Sequence, residues 1–261
     1  MLNFHSFDSA EAQAEALARA VGGALEQALS ARATPQRATL AVSGGKSPVA
    51  FFSHLSQLPI EWSRIDITLV DDRWVSDNDD ASNAQLLREH LLQNAAAKAR
   101  FLPLVDTSAP VAEVVGRLNS GADSASASDS VGSFASTPDA NAVVTESTDA
   151  AFSFAVPALP DVAVLGMGED GHTASIFADA PEWETAITTS DRFLIVHPGS
   201  APHARITWSM QALKQMGALF LQIGGDKKRA VLEAATAEAQ RNAISQLALD
   251  GGVTLNAYWF A

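Results

Sequence analysis

The sequence predicts an α/β protein: a Rossmann-like, mostly parallel sheet with helices on both faces, in a single domain that carries one low-complexity insertion. Short apolar runs, ended by glycine or acidic residues, alternate along the chain with stretches of helical character. In Leu40–Val42, Val162–Leu165 and Phe193–Val196 the apolar residues are consecutive rather than every second one, the pattern of strands covered on both faces, as parallel strands are. A third observation sets the size. The 261 residues, 47% of them hydrophobic, suffice for one large core, and no internal repeat divides them.

The elements follow in order. Residues 8–31 are alanine-rich with scattered Glu, Gln and Leu, and Asp8 or Ser9 can cap them, so they predict an opening helix. Thr39-Leu40-Ala41-Val42 predicts the first strand, Ser47–Gln57 a helix, Ile65–Val70 the next strand and Ser82–Ala95 another helix. Further strands are expected at Val162–Leu165, Phe193–Val196, Leu219–Ile223 and Val253–Trp259, with helices at Thr207–Gln215 and Lys227–Ala239. One segment breaks the pattern. Residues 120–150 hold eight serines, five acids and no Lys or Arg, and lack the apolar periodicity of a packed element. They are expected to form a disordered or loosely ordered surface insertion.

Composition excludes several classes of function. With 17 Lys+Arg against 30 Asp+Glu the formal charge is −13, which opposes binding to nucleic acid or to an anionic membrane surface. Residues 120–150 contribute −5 of it, so the folded remainder is only moderately acidic. No apolar run approaches the roughly 20 residues of a membrane-spanning helix, and the first residues lack the basic start and apolar stretch of a secretory signal. Zero cysteines exclude disulfides, thiolate metal sites and a cysteine nucleophile. A soluble, cytoplasmic protein is expected.

Three stretches carry chemistry. Ser43-Gly44-Gly45-Lys46-Ser47-Pro48 joins the first strand to a helix. Its glycines permit close backbone approach and its helix-start amides can face a phosphate, although a tight turn would use the same residues. A nucleotide P-loop would need glycine at Leu40. Asp71-Asp72-Arg73-Trp74 follows the Ile65–Val70 strand, where ligands bind in open parallel sheets. Arg73 could clamp a phosphate or carboxylate there, or pair with an aspartate to fix a surface loop. The richest stretch is Gly166-Met167-Gly168-Glu169-Asp170-Gly171-His172-Thr173, which contains G-x-G-x-x-G after a strand. Its place in mid-chain weakens the dinucleotide reading, whereas Asp170 two residues before His172 supplies a carboxylate to orient a general base. Arg205-Ile206-Thr207 and Gly225-Asp226-Lys227-Lys228 add cations ahead of two further helices. His5, His54, His90, His197 and His203 show no metal-ligand spacing, and no G-x-S-x-G nucleophile elbow is present.

Taken together, these motifs resemble the 6-phosphogluconolactonase family, a branch of the phosphosugar isomerase-like folds. The resemblance runs in order through Ser43-Gly44-Gly45, Asp71-Asp72-Arg73-Trp74-Val75, Ser82-Asn83, Gly166 to Ser175, Arg205-Ile206-Thr207, Gly225 and Lys228. Asp72 stands where many members have Glu, Ser76 where many have Pro, and Ala178-Asp179 where Pro-Gly is common. The resemblance implies hydrolysis of 6-phosphoglucono-1,5-lactone, with no metal and no organic cofactor, and a small sugar-phosphate lactone as the partner. It implies His172 as the base that activates water and Asp170 as its orienting or charge-stabilising partner. Ser43, Gly44, Gly45, Asp71, Arg73, Gly171, Ser175, Arg205 and Lys228 are the implied substrate- and phosphate-binding residues, with Arg73 serving either the phosphate or the developing oxyanion. Two rivals share the scaffold. Glucosamine-6-phosphate deaminases resemble a different sequence after the histidine, ending in Glu, where Thr173-Ala174-Ser175-Ile176 stands here. A non-catalytic sugar-phosphate sensor would bind 6-phosphogluconate without turnover. Oligomeric state is left open, and a monomer fits.

Overall fold

The computed structural model describes residues 1–45, 47–125 and 156–261. Seven strands form one parallel sheet in the order β1-β10-β9-β6-β2-β3-β5. They are β1 (Leu2–Phe7), β2 (Ala38–Val42), β3 (Ile65–Leu69), β5 (Arg100–Leu102), β6 (Val162–Gly166), β9 (Ala218–Gly224) and β10 (Leu255–Phe260). Every residue of β2 and β3 is buried, as expected where both faces are covered. The helices are α1 (Ala10–Ser30), α2 (Val49–Ser56), α3 (Asn83–His90), α4 (Val111–Ala125), α5 (Trp183–Thr188), α6 (Met210–Gln215), α7 (Asp226–Ala237) and α8 (Ala243–Ala248). In α1 the buried Ala14, Leu17, Val21 and Leu25 recur at helical spacing and form the stripe that packs on the sheet, while the Ser9 side chain accepts from Ala12 N to cap it.

A second, three-stranded antiparallel sheet in the order β4-β8-β7 joins β4 (Asp71–Arg73), β8 (Arg205–Trp208) and β7 (Phe193–Val196). Phe193–Val196 is a strand, as expected, and it belongs to this small sheet. The Asp71–Arg73 segment, which follows the Ile65–Leu69 strand, is itself a short strand that the sequence did not predict. One expectation is corrected. Arg205–Thr207 is extended, so the helix expected from Thr207 starts at Met210, where the Ser209 hydroxyl accepts from Ala212 N. Trp208 ties the two sheets together by donating from Nε1 to Leu69 O at 3.0 Å and from its backbone to Val70 O. Of the segment 120–150, residues 120–125 form the end of α4, and residues 126–150 lie outside those described. No described helix is long and apolar enough to cross a membrane.

Strand order reverses beside β2. The chain passes from β2 to β3 and β5 on one side, and later fills β6, β9 and β10 on the other. The loops leaving β2 and β6 therefore diverge at a topological switch point, where open α/β sheets hold their ligands.

Candidate active site

At that switch point the loop after β2 is fastened to the strand beside it. Ser43 N donates to Val164 O at 2.9 Å, and the Ser43 hydroxyl accepts from Gly166 N at 3.0 Å. Gly44 is needed for space: a Cβ there would lie 2.0 Å from Asn83 Oδ1. Gly45 is needed for conformation, with φ +95. Asn83 is the wedge beneath the loop. Its Nδ2 donates to Asp71 O at 2.9 Å, and its backbone amide donates to Asp72 Oδ1 at 2.7 Å.

Asp72 is itself buried and accepts three backbone amides, from Arg73, Asn83 and Ala84. Burial nonetheless outweighs those bonds and raises its carboxyl to about 6. It faces the start of α3 rather than the cleft, so its task is to anchor that helix.

The loop after β6 folds back on itself. Gly171 N donates to Gly168 O, Gly168 N donates to His172 O, and the Thr173 hydroxyl donates to Gly166 O at 2.8 Å. Gly171 has φ +79, and a Cβ there would lie 2.7 Å from the Asn242 side chain. This turn brings His172 back over Asp170, with Nδ1 2.6 Å from Oδ1. The Asp170 carboxyl is held below its ordinary range by that hydrogen bond, so it is ionised and can only accept. Nδ1 then carries the proton, and Nε2 of the neutral ring carries the lone pair.

A cleft of about 300 Å³ collects Ser43, Gly44, Gly45, Asp71, Arg73, His172, Arg205 and Lys228, together with Asn83 and Gln222. A second chamber of about 640 Å³ opens from its outer side, sharing Arg73, His172 and Arg205 and adding Asp170 and Phe177. Eight of the eleven residues expected at the site thus line the inner cleft, and Asp170 lines the outer chamber. Gly171 and Ser175 stand behind the wall. Ser175 is fully buried, donates its hydroxyl to Asp71 Oδ2, and donates its backbone amide to Thr207 Oγ1 of β8 at 3.2 Å.

The cations here are short of partners. Among the described residues no ion pair engages Arg73, Arg205 or Lys228. Arg73 and Arg205 face each other across β4 and β8, and Nε of each is buried without a hydrogen bond. Burial lowers the Arg205 guanidinium from its ordinary value, with Asp71 opposing and Arg73 adding to the effect. Buried, unpaired guanidinium donors are costly unless an anion arrives to satisfy them. Among the described residues no cluster of His, Asp or Glu is arranged to hold a metal ion.

Residues 8–254 match the family described as glucosamine-6-phosphate isomerases/6-phosphogluconolactonase. The chain belongs to this family. It is 36% identical to the 6-phosphogluconolactonase of Neisseria meningitidis serogroup A over 99% of both chains. It is 38% identical to the 6-phosphogluconolactonase of Pseudomonas aeruginosa, over 88% of this chain and 83% of that one. Among solved structures, a 6-phosphogluconolactonase from Shewanella baltica superposes with a TM-score of 0.78 at 34% identity, covering 100% of this chain and 98% of that one. The loops read from the sequence line the candidate cleft, but three residues around it were not read as part of it. Asn83 came to notice only through resemblance, while Gln222 and Phe177 sit in no motif and betray themselves only by their place in the fold.

Proposed function

We propose that the protein hydrolyses 6-phosphoglucono-1,5-lactone to 6-phosphogluconate, the second step of the oxidative pentose phosphate pathway, by His172-activated attack of water. One observation carries this reading: the Nε2 face of the Asp170-held histidine shares a single cleft with the guanidinium groups of Arg73 and Arg205, which no described carboxylate pairs and whose Nε atoms have no hydrogen bond among the described residues. That arrangement answers a substrate with an anionic end and an electrophilic ester carbonyl.

Nε2 takes a proton from water as the water oxygen bonds to C1, and the carbonyl electron pair moves onto its oxygen. When the intermediate collapses, the bond from C1 to the ring oxygen breaks and Nε2 returns the proton to that oxygen. Asp170 keeps Nδ1 protonated throughout and stabilises the transient imidazolium. The loop amides of Gly44 and Gly45 and the hydroxyl of Ser43, with Arg205 and Lys228, hold the phosphate. Arg73 meets either the phosphate or the developing oxyanion, and Asp71, steadied by Ser175, accepts from a substrate hydroxyl. Gly171 acts through the turn that aims His172.

The family description spans two activities, and the residues separate them. The acidic residue that follows the histidine block in the deaminases has no counterpart in Thr173-Ala174-Ser175-Ile176. The decisive assay follows acid release from freshly made 6-phosphogluconolactone, corrected for its spontaneous hydrolysis. Enzyme-dependent turnover is expected, with no ammonia released from glucosamine 6-phosphate. The opposite pattern would move the protein to the isomerase branch, and tight binding of 6-phosphogluconate without turnover would make it a sensor.

A further inference from the structure

We propose that Phe177 is a positioning residue for both halves of the site, its ring fixing the plane of the His172 imidazole and steadying the Arg205 guanidinium beside it. The inference rests on the reading of His172 as base given above.

Phe177 is an unusual buried aromatic. It is only 3% exposed, yet it stands outside the contiguous apolar core that takes in its neighbours Ala174 and Ile176. What it touches instead is the chemistry. Its ring lies 3.9 Å from the His172 ring, centroid to centroid, at an interplanar angle of 23°, and the Arg205 Cζ lies 5.2 Å from the same centroid. The backbone is bent to bring it there. Ala174 adopts φ +51, a left-handed conformation uncommon for a residue with a side chain, and Ile176 N donates back to Thr173 O at 3.1 Å. Phe177 follows this turn directly, which returns its ring to the histidine five residues earlier.

Each contact supplies something the hydrogen bonds omit. The bond from Nδ1 to Asp170 fixes one edge of the imidazole but leaves the ring able to pivot about it. A stacked ring removes that pivot, so the direction of Nε2 is set by two constraints. A ring face also attracts a cation, so Phe177 stabilises the imidazolium that forms when Nε2 takes the proton from water. Among the described residues Arg205 has one hydrogen bond through its guanidinium, from Nη2 to Pro202 O at 3.4 Å, and its Nε has none. The aromatic face holds this cation without occupying the N–H groups that a substrate anion requires. A carboxylate in the same place would occupy them.

The test compares Phe177→Leu, which keeps apolar volume and removes the ring, with Phe177→Tyr, which keeps the ring. Phe177→Met serves as a second ring-less variant should the leucine variant fold poorly. Around His172 the charged groups are Asp170 and Glu169 of its own loop, Asp71 and Arg73 of β4, Arg205 of β8, Asp179 and Lys228. None is altered by these substitutions. In folded Phe177→Leu, kcat should fall by about 10–100-fold, as misaimed catalytic groups do. KM for the phosphorylated lactone should rise, and the acid limb of the kcat/KM profile should move about half a pH unit lower, because the imidazolium has lost its ring face. Phe177→Tyr should stay within about threefold of the parent with its acid limb unmoved. A ring-less variant with parental kcat and acid limb would overturn the proposal, as would a loss shared equally by the tyrosine variant, which would mark a purely packing role. His172→Asn is run alongside. Should that variant keep its activity, the base assignment itself fails; should it lose activity while Phe177→Leu does not, only the positioning role fails.

Discussion

At the scale of single residues, the proposed mechanism asks that one lone pair be kept available. Asp170 lies two positions before His172, too close for an extended chain to let them meet face on, and the turn through Gly171 resolves this. Replacing His172 by Asn preserves hydrogen bonding but removes the base, and should lower kcat by ~10²–10⁴ with the circular dichroism spectrum unchanged. Asp170→Asn makes the complementary test. An amide can donate to Nδ1, which would drive the proton onto Nε2 and abolish the acceptor. A kcat loss of ~10² or more is expected, with KM changed far less, read from initial rates on fresh lactone. A loss confined to KM would instead place Asp170 among the binding groups.

At the scale of elements, the start of α3 is anchored by a buried carboxylate beside the Ser82 cap. Asp72 accepts from Arg73, Asn83 and Ala84, and so fixes Asn83 under the Ser43–Gly45 loop. Its carboxyl sits at about 6 when folded, against 3.8 ordinarily, because burial penalises the charge. The folded chain therefore binds this proton more tightly than the unfolded chain does. Its contribution to stability is fullest below about pH 4 and is lost as pH rises through about 6, by up to about 3 kcal/mol. Asp72→Asn, neutral at every pH, should gain on the parent by that order between pH 4 and 7. It also places an amide against Ala84 N, but that cost does not vary with pH. Urea melts of both proteins at pH 4.5 and 7.5 measure the difference; an equal gap at the two pH values would show that Asp72 does not ionise in this window. Helices and doubly covered strands were legible in the sequence because their apolar spacing is local, as in α1 and β2. The small sheet was not. Its strands β4 and β8 are three and four residues long, carry Asp and Arg, and are held by pairing between Arg73 and Arg205, 132 positions apart, which no local pattern encodes.

At the scale of the whole molecule, the proposed function asks a chain of net charge −13 to bind a dianion. The topology answers it by gathering cations that are far apart in sequence: Arg73 from β4, Arg205 from β8 and Lys228 from α7, around the crevice between β2 and β6. Glycine loops flagged the crevice from sequence, since they close strands at the switch point. The convergence of the three cations became visible only once the strand order was known. That convergence makes a quantitative demand on substrate choice. A phosphate dianion in the cleft would gather charge-assisted hydrogen bonds from cations that no described carboxylate pairs, each contributing roughly 1.5–3 kcal/mol. Glucono-1,5-lactone presents the same carbonyl to His172 without those contacts, so its kcat/KM should be lower by ~10² or more. Part of the loss should fall on kcat, because binding at the phosphate also positions C1. Lys228→Glu should then cost the phosphorylated lactone far more than the neutral one, since the variant replaces an attraction with a repulsion for the first and changes little for the second. Rates of both lactones on parent and variant, at fixed ionic strength, provide the comparison. Equal kcat/KM for the two substrates on the parent would mean that the cations serve some other anion, and the assignment of the phosphate to this cleft would fall with it.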